Sequence, residues 1–394
     1  MTEHPLFWIM AAAVAAPLLA EIPMGVRMPT VVIEVLLGIV IGPQVLGLAH
    51  FNGFVETMFG FAMAMTLFMG GMELDLHAIR GRPLNLAIGG WLFSLVLGLA
   101  ALALLHALPQ VQAPMLVALG LCTTGLGVLI PVFRDSGQLD TALGRMVLAA
   151  GALGELGPIV AMSLILSGRY STWQELAYLL VFLAAVAGAM VIGMRARPPK
   201  VLTFLSRHLH ASAQLPVRLS LLLLGGMFLV ADRLGFESVL GAFAAGMVIG
   251  QATQSEGAKP FRHKLDAVAF GWFYPFFFIG TGLKFNVEAL GADLTTMLLV
   301  LLFLPLFLLV RGLPVLVGYR SALAPRERLP MALSSAVPSL SIIVVITEIG
   351  VRTHSMSTDM ATALVGAALL AVLLFPTLAN ALLSAQEGRS TASA

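Results

Sequence analysis

Charge is what this chain has least of. Asp, Glu, Lys and Arg make up 11% of its 394 residues, against the roughly 25% usual in soluble domains, and mean hydropathy is +0.97. So few charged side chains cannot cover the surface of a water-soluble domain of this length, which leaves a polytopic membrane protein. A single cysteine, Cys122, excludes a disulfide framework and any multi-cysteine zinc or iron–sulfur centre; small-residue packing is its expected role. No basic cluster with interleaved aromatics occurs, so nucleic acid is not an expected partner. There is no His-Glu-x-x-His, no Gly-x-Ser-x-Gly and no pair of intramembrane aspartates. An intramembrane enzyme is therefore not expected, and neither is a cofactor.

Apolar runs are what the sequence has in quantity. A membrane-crossing helix needs roughly 20 mostly apolar residues. Thirteen such segments are predicted, at 5–23, 30–49, 56–75, 84–107, 112–132, 142–167, 175–194, 216–233, 236–252, 269–285, 294–319, 329–350 and 357–384. They make one all-α transmembrane domain with no room for a second, soluble one. The first segment follows Thr2-Glu3-His4, which lacks the positive flank of a signal peptide, so a retained helix is expected. With the N-terminus outside, the inner connections hold 17 Lys and Arg, from Arg27 to Arg389, and the outer ones hold four, Arg169, Arg233, Lys284 and Arg352. That asymmetry predicts a multi-pass protein of a bacterial-type inner membrane, with the C-terminus in the cytoplasm.

The segments also repeat. Gly38-Ile-Val-Ile-Gly42 in segment 2 is matched 208 residues later by Gly246-Met-Val-Ile-Gly250 in segment 9. Gly71-Met-Glu-Leu-Asp75 is matched 211 residues later by Gly282-Leu-Lys-Phe-Asn286. An offset of seven helices is odd and inverts the second copy, an arrangement typical of secondary transporters. Repeat one would cover about residues 5–168, a linker helix 175–194, and repeat two 216–384. Interrupted helices are expected at equivalent positions of such repeats. Segment 5 carries Thr123-Thr124-Gly125-Leu126-Gly127 halfway, and segment 12 carries Val337-Pro338-Ser339-Leu340-Ser341 halfway. Gly and Pro loosen the helix ladder there, which predicts a pair of crossed, broken helices.

Two ionisable residues lie deep in predicted spans: Glu155, flanked by Gly154, Gly157 and Pro158, and Arg311, followed by Gly312. Each costs at least about 2.5–3.5 kcal/mol to place there and calls for a partner or a task. A carboxylate can hold a proton or a hard monovalent cation, but not both, which is what a proton/cation exchanger needs. Arg311 is the expected charge partner of Glu155, and a purely structural ion pair is the plainer alternative. Thr123 and Thr124 are the expected companions of Glu155 in the ion site. Glu348, Glu34 and Asp75, with Glu73, sit nearer the predicted helix ends and are secondary candidates. Histidines 77, 208, 210 and 263 fall in predicted inner loops, where solvation is the ordinary state. A proton-independent channel or carrier for another solute would use the same architecture, and so would a sensor that has lost transport.

At these residues the chain resembles a known family, the Kef-type monovalent cation:proton antiporters, whose crossed-helix fold is shared with sodium/proton exchangers. The resemblance rests on Arg27 to Pro43 around Glu34 and Gly38, on Phe68 to Leu76, on Leu240-Gly241-Ala-Phe243-Ala-Ala-Gly246, and on Phe276-Phe-Phe-Ile-Gly280-Thr-Gly282. It spans residues 5–384 or so. It implies that segments 5 and 12 cross and move with segment 6 against a dimerising scaffold, that Glu155 stands where the family has its ion-binding aspartate, and that Arg311 stands where relatives carry Lys or Arg. It implies competition between H⁺ and Na⁺ or K⁺ at Glu155, elevator-type alternating access and a homodimer in lipid. Two departures stand out. The usual pair is an Asp preceded by Asp, Asn or Gln, whereas here it is Gly154-Glu155; one carboxylate suggests one-for-one exchange. Only about ten residues follow segment 13, so the nucleotide-binding regulatory domain of many relatives is not expected.

Overall fold

A bilayer core offers backbone groups no water, so a spanning chain must close its hydrogen bonds within each segment, as helix. The computed structural model describes residues 4–22, 28–74, 79–104, 112–135, 137–139, 141–166, 172–195, 214–254, 256–288 and 294–392. Among them all regular structure is helical. The α-helices are α1 (Pro5–Ala20), α2 (Thr30–Ile41), α3 (Gly53–Glu73), α4 (Arg82–Leu104), α5 (Pro114–Leu121), α6 (Leu126–Asp135), α7 (Ala142–Leu166) and α8 (Thr172–Arg195). They continue with α9 (Leu215–Arg233), α10 (Ser238–Ala252), α11 (Lys259–Val268), α12 (Tyr274–Lys284), α13 (Leu294–Gly318), α14 (Pro325–Ser335), α15 (Leu340–Arg352) and α16 (Thr358–Ala392). Among the described residues eight stretches are long and apolar enough to cross a membrane, and Pro5–Ala20, Thr30–Ile41, Pro114–Ile130 and Ser238–Ala252 are shorter apolar helices.

Element ends differ from the sequence expectation for local reasons. Segment 2 stops as helix at Ile41, not near residue 49. Pro43 has no amide hydrogen and holds the preceding residue extended, and Gly42 is extended at φ −67°, ψ 173°. Segment 10 begins earlier than its apolar run. Helix starts at Lys259 in the polar stretch Lys-Pro-Phe-Arg-His-Lys-Leu-Asp and reaches α12 through a π-helical turn at Ala269–Phe273. Segments 5 and 12 are each split, into α5 and α6 and into α14 and α15. The joined α14–α15 stretch is 89% buried over its apolar window, against 28% for α4 and 22% for α9, so α14–α15 is an interior element and the others present broad apolar faces of the kind lipid covers.

The chain divides into two compact units. The first comprises Met1–Ala13, Ala49–Asp75 and Ile159–Gly280, the second Val14–Leu48, Leu76–Pro158 and Thr281–Ala394. In the first unit α10 packs on α3, α8 and α9, over a core of Met65, Phe68, Met69, Met72, Ala245, Phe261 and Leu265. Asn52 caps α3 by accepting the Val55 amide at 3.1 Å, as an N-cap side chain should. The α3–α10 contact is glycine-made. A Cβ at Gly246 would strike the Phe68 carbonyl, one at Gly71 the Phe243 carbonyl, and one at Gly250 would stand 2.6 Å from the Met72 oxygen. Small residues let backbones approach this closely. In the second unit α13 packs on α4, α14 and α16, while α15 packs on α5 and α16. Here a Cβ at Gly282 would lie 2.7 Å from both Gly38 Cα and Ile39 N of α2. The two glycine pentads of the sequence therefore each pack on the closing motif of the other half of the chain.

Candidate ion site at two facing helix breaks

Glu155, Thr123, Thr124, Arg311, Pro338 and Ser339 all lie in the second unit, and most of them meet at the two interruptions. Helix α5 ends at Leu121, and the Cys122 amide still bonds the Ala118 carbonyl at 3.1 Å. Residues 123–125 then lie outside any helix, and the three amides from Thr124 to Leu126 leave the helix pattern. Thr124 N donates to the Gly154 carbonyl of α7 at 3.2 Å, and Gly125 N donates to the Val337 carbonyl of the second break at 2.9 Å. Leu126 N donates to the Glu155 Oε1 at 3.0 Å. The amides freed by one break thus fasten α7, the other break and the carboxylate. Ser339 N returns the connection by donating to Thr123 Oγ1 at 3.3 Å. Gly125 is required at this point, because a Cβ there would stand 2.8 Å from the Pro338 oxygen.

Glu155 is 6% exposed and faces the first residue of α6. A helix N-terminus carries unpaired amides and partial positive charge, and so favours an anion. The glycines beside it make room for neighbours rather than for flexibility. A Cβ at Gly154 would stand 2.5 Å from the Thr124 Cβ and 2.6 Å from its amide nitrogen, and one at Gly157 would strike the Trp91 ring. The place of a side chain at position 154 is filled by Thr124.

Arg311 is 3% exposed and gives its hydrogen bonds to neutral oxygens rather than to the Glu155 carboxylate. Nε and Nη2 donate to Thr124 Oγ1 at 2.9 and 2.7 Å, Nη2 to the Ala150 carbonyl at 3.0 Å, Nη1 to Ser94 Oγ at 3.3 Å and Nε to the Ser335 carbonyl at 3.4 Å. The Thr124 hydroxyl itself donates to the Ser335 carbonyl at 2.5 Å. The expected charge partnership is thereby indirect, running from Arg311 through Thr124 to the backbone beside Glu155.

The remaining candidates are dispersed. Glu348 on α15 pairs with Lys284 at the end of α12, with 26% and 33% side-chain exposure. Glu34 is buried in α2 at 5% exposure. Gly127 has no atom within 4 Å of where a Cβ would stand, so packing does not demand glycine there. Ser339 is buried at 6% and Ser341, on α15, is half-buried. Asp75 and histidines 77, 208 and 210 lie outside the described residues. His263 stands 3.9 Å from Asp266 on α11; burial raises the Asp266 carboxyl above its ordinary range, with Arg262 and His263 pulling it back down. Sequence reasoning missed Ser94, Ser335, the Ala150 carbonyl and the Lys284–Glu348 pair. Ser94 carried a signal, as a hydroxyl within the apolar helix α4; the carbonyls carried none.

An all-helical membrane protein that keeps a carboxylate and a guanidinium around two facing helix breaks has the architecture of a membrane transport protein. Residues 9–385 match the model of the transmembrane sodium/hydrogen exchanger family, and the chain belongs to that family. It is 24% identical over 298 residues to the probable Na⁺/H⁺ antiporter GerT of Bacillus cereus, covering 73% of this chain and 76% of that one. It is 24% identical over 366 residues to the putative Na⁺/H⁺ antiporter YjbQ of Bacillus subtilis, covering 88% of this chain but 58% of the longer relative. The solved sodium proton antiporter MjNhaP1 of Methanocaldococcus jannaschii has the same fold, with a TM-score of 0.67 over 96% of this chain and 97% of that one, at 19% identity.

Proposed function

We propose that the protein is a secondary active antiporter that exchanges protons for a monovalent cation, Na⁺ or K⁺, by competition at Glu155. The observation that carries this reading is the Leu126 N–H to Glu155 Oε1 hydrogen bond of 3.0 Å, inside a buried junction of two broken helices. A carboxylate held there by a helix N-terminus is stable as an anion when empty and neutral when it holds either a proton or a cation. Two mutually exclusive neutral states are what exchange requires. The empty, charged state must cross poorly, since otherwise H⁺ and cation fluxes would uncouple. One carboxylate supports one-for-one exchange. Thr123 keeps one hydroxyl lone pair for the cation, while Thr124 positions the break.

The reciprocal packing of the two glycine pentads supports thirteen crossings in two inverted repeats, with α5–α6 and α14–α15 as the crossed pair. That symmetry suits alternating access of the elevator kind. The names of GerT and YjbQ support Na⁺ and H⁺ as the exchanged ions. The loop charges support an N-terminus outside and a C-terminus in the cytoplasm. A homodimer in the inner membrane completes the reading.

The test uses the full chain in vesicles holding a fluorescent pH dye, acidified inside, with Na⁺, K⁺ and Li⁺ added in turn. One or more of these ions should dequench the dye with the wild type, and Glu155→Gln should abolish the response while still inserting. Undiminished dequenching by Glu155→Gln contradicts the proposal.

A further inference from the structure

A hydroxyl group offers one donor and two acceptor lone pairs, and at this junction that capacity can be followed residue by residue. Thr124 Oγ1 donates to the Ser335 carbonyl and accepts from Nε and Nη2 of Arg311. Its capacity is complete, so it has no lone pair left for an ion. Thr123 Oγ1 donates to the Gly120 carbonyl at 2.7 Å and accepts from Ser339 N at 3.3 Å, which leaves one lone pair. The two threonines therefore leave a single hydroxyl lone pair open between them. A hard monovalent cation that sheds its water needs several oxygens at once.

Ser335 has the capacity that the threonines lack. It is the last residue of α14, immediately before the second break, and is 1% exposed. Its carbonyl is held by Thr124 and Arg311, while its hydroxyl has no hydrogen-bond partner among the described residues. Other buried helical hydroxyls of this protein behave differently. Thr66, Ser94, Ser220 and Ser334 each donate to the carbonyl four residues back, at 2.8 to 3.1 Å. Back-bonding of this kind is the ordinary way for a helix to satisfy Ser or Thr. Ser334 and Ser335 are neighbours on one helix, and only Ser334 does it. A buried hydroxyl left open is unfavourable, and this one belongs to the residue whose carbonyl accepts from Thr124 and Arg311 at the junction. The other such hydroxyl on a described helix is Ser163, eight residues beyond Glu155 on α7.

We infer that the Ser335 hydroxyl is a direct ligand of the cation carried at Glu155, taking the place that the fully committed Thr124 cannot fill. The inference rests on the antiport reading above and names the oxygen that completes its site. Ser335 then belongs to the binding machinery, while Thr124 and Arg311 are positioning residues.

Cation binding to the purified full-length protein is read from the rise in Tm with added Na⁺, K⁺ or Li⁺, which reports affinity without requiring transport. Ser335→Ala should weaken the apparent affinity for the stabilising cation by about tenfold, the loss of one charge-assisted contact. Its Tm without cation should stay level or rise, because an unsatisfied buried hydroxyl has gone. Ser335→Cys, with a softer ligand of similar size, should shift affinity in the same direction, and Ser163→Ala should not shift it. Wild-type affinity in Ser335→Ala, with a wild type that the cation does stabilise, overturns the role of Ser335 and leaves the antiport reading standing. A wild type that none of the three cations stabilises overturns both.

Discussion

Arg311 would look, by rank of hydrophobic cost alone, like the residue least suited to its place. Its guanidinium is reconciled with burial by neutral oxygens from four parts of the chain: Ser94, Thr124, Ala150 and Ser335. A planar fork can reach in several directions at once, and a lysine ammonium on a single stem cannot. Arg311→Lys is therefore expected to cost about 1.5–3 kcal/mol, the range for losing a hydrogen bond to a charged group. The measurement is the Tm of the purified protein without added cation, and an unchanged Tm would show that the fork is dispensable. Glu155 and Arg311 were legible in the sequence because charges are rare in this chain and stand out in apolar runs. Their separate partners were not. Thr124 and Arg311 are 187 residues apart, and nothing in the sequence says that Thr124 Oγ1 and the Ala150 carbonyl would accept the hydrogen bonds of Arg311. The open hydroxyl of Ser335 was invisible for a similar reason, since hydrogen-bond capacity is counted only once neighbours are known.

Helices in this protein are held together by close backbone approach as much as by side chains. At the α3–α10 crossing Gly71, Gly246 and Gly250 each face a carbonyl of the opposing helix. Adding a methyl group there must move backbone, and overpacking of that sort costs about 1–3 kcal/mol. Gly246→Ala is expected to lower Tm accordingly, whereas Gly225→Ala on α9, with nothing within 4 Å of the new Cβ, is expected to leave it level. Equal behaviour of the two variants would contradict the packing account. The sequence revealed these glycines as two matched pentads but said nothing about which helices they would meet. It also located the helix breaks, because Thr-Thr-Gly and Pro-Ser weaken helix wherever they occur. Helix ends were less legible. The start of α11 is basic and amphipathic, so an apolar-run criterion begins the segment ten residues late, at Ala269 instead of Lys259.

At the scale of the whole molecule, composition alone separated a membrane protein from a soluble one, and the family was legible from the glycine and acidic motifs spread over most of the chain. The family match over residues 9–385 and the fold shared with MjNhaP1 agree with that reading. The choice between Na⁺ and K⁺ was not legible, since selectivity depends on how many oxygens surround the ion and how far each can yield, not on which residue types are present. What joins the scales in the proposed mechanism is competition, one carboxylate that would hold either a hydrogen ion or a metal ion at a junction built from two interrupted helices. The direct measurement is proton release on cation binding, followed with a soluble pH indicator in weakly buffered, detergent-solubilised full-length protein. The account predicts that adding the stabilising cation releases up to one proton per chain from the wild type, most where Glu155 is protonated, and none from Glu155→Gln. Saturable cation binding to the wild type without proton release at any pH, or release that survives in Glu155→Gln, would contradict it.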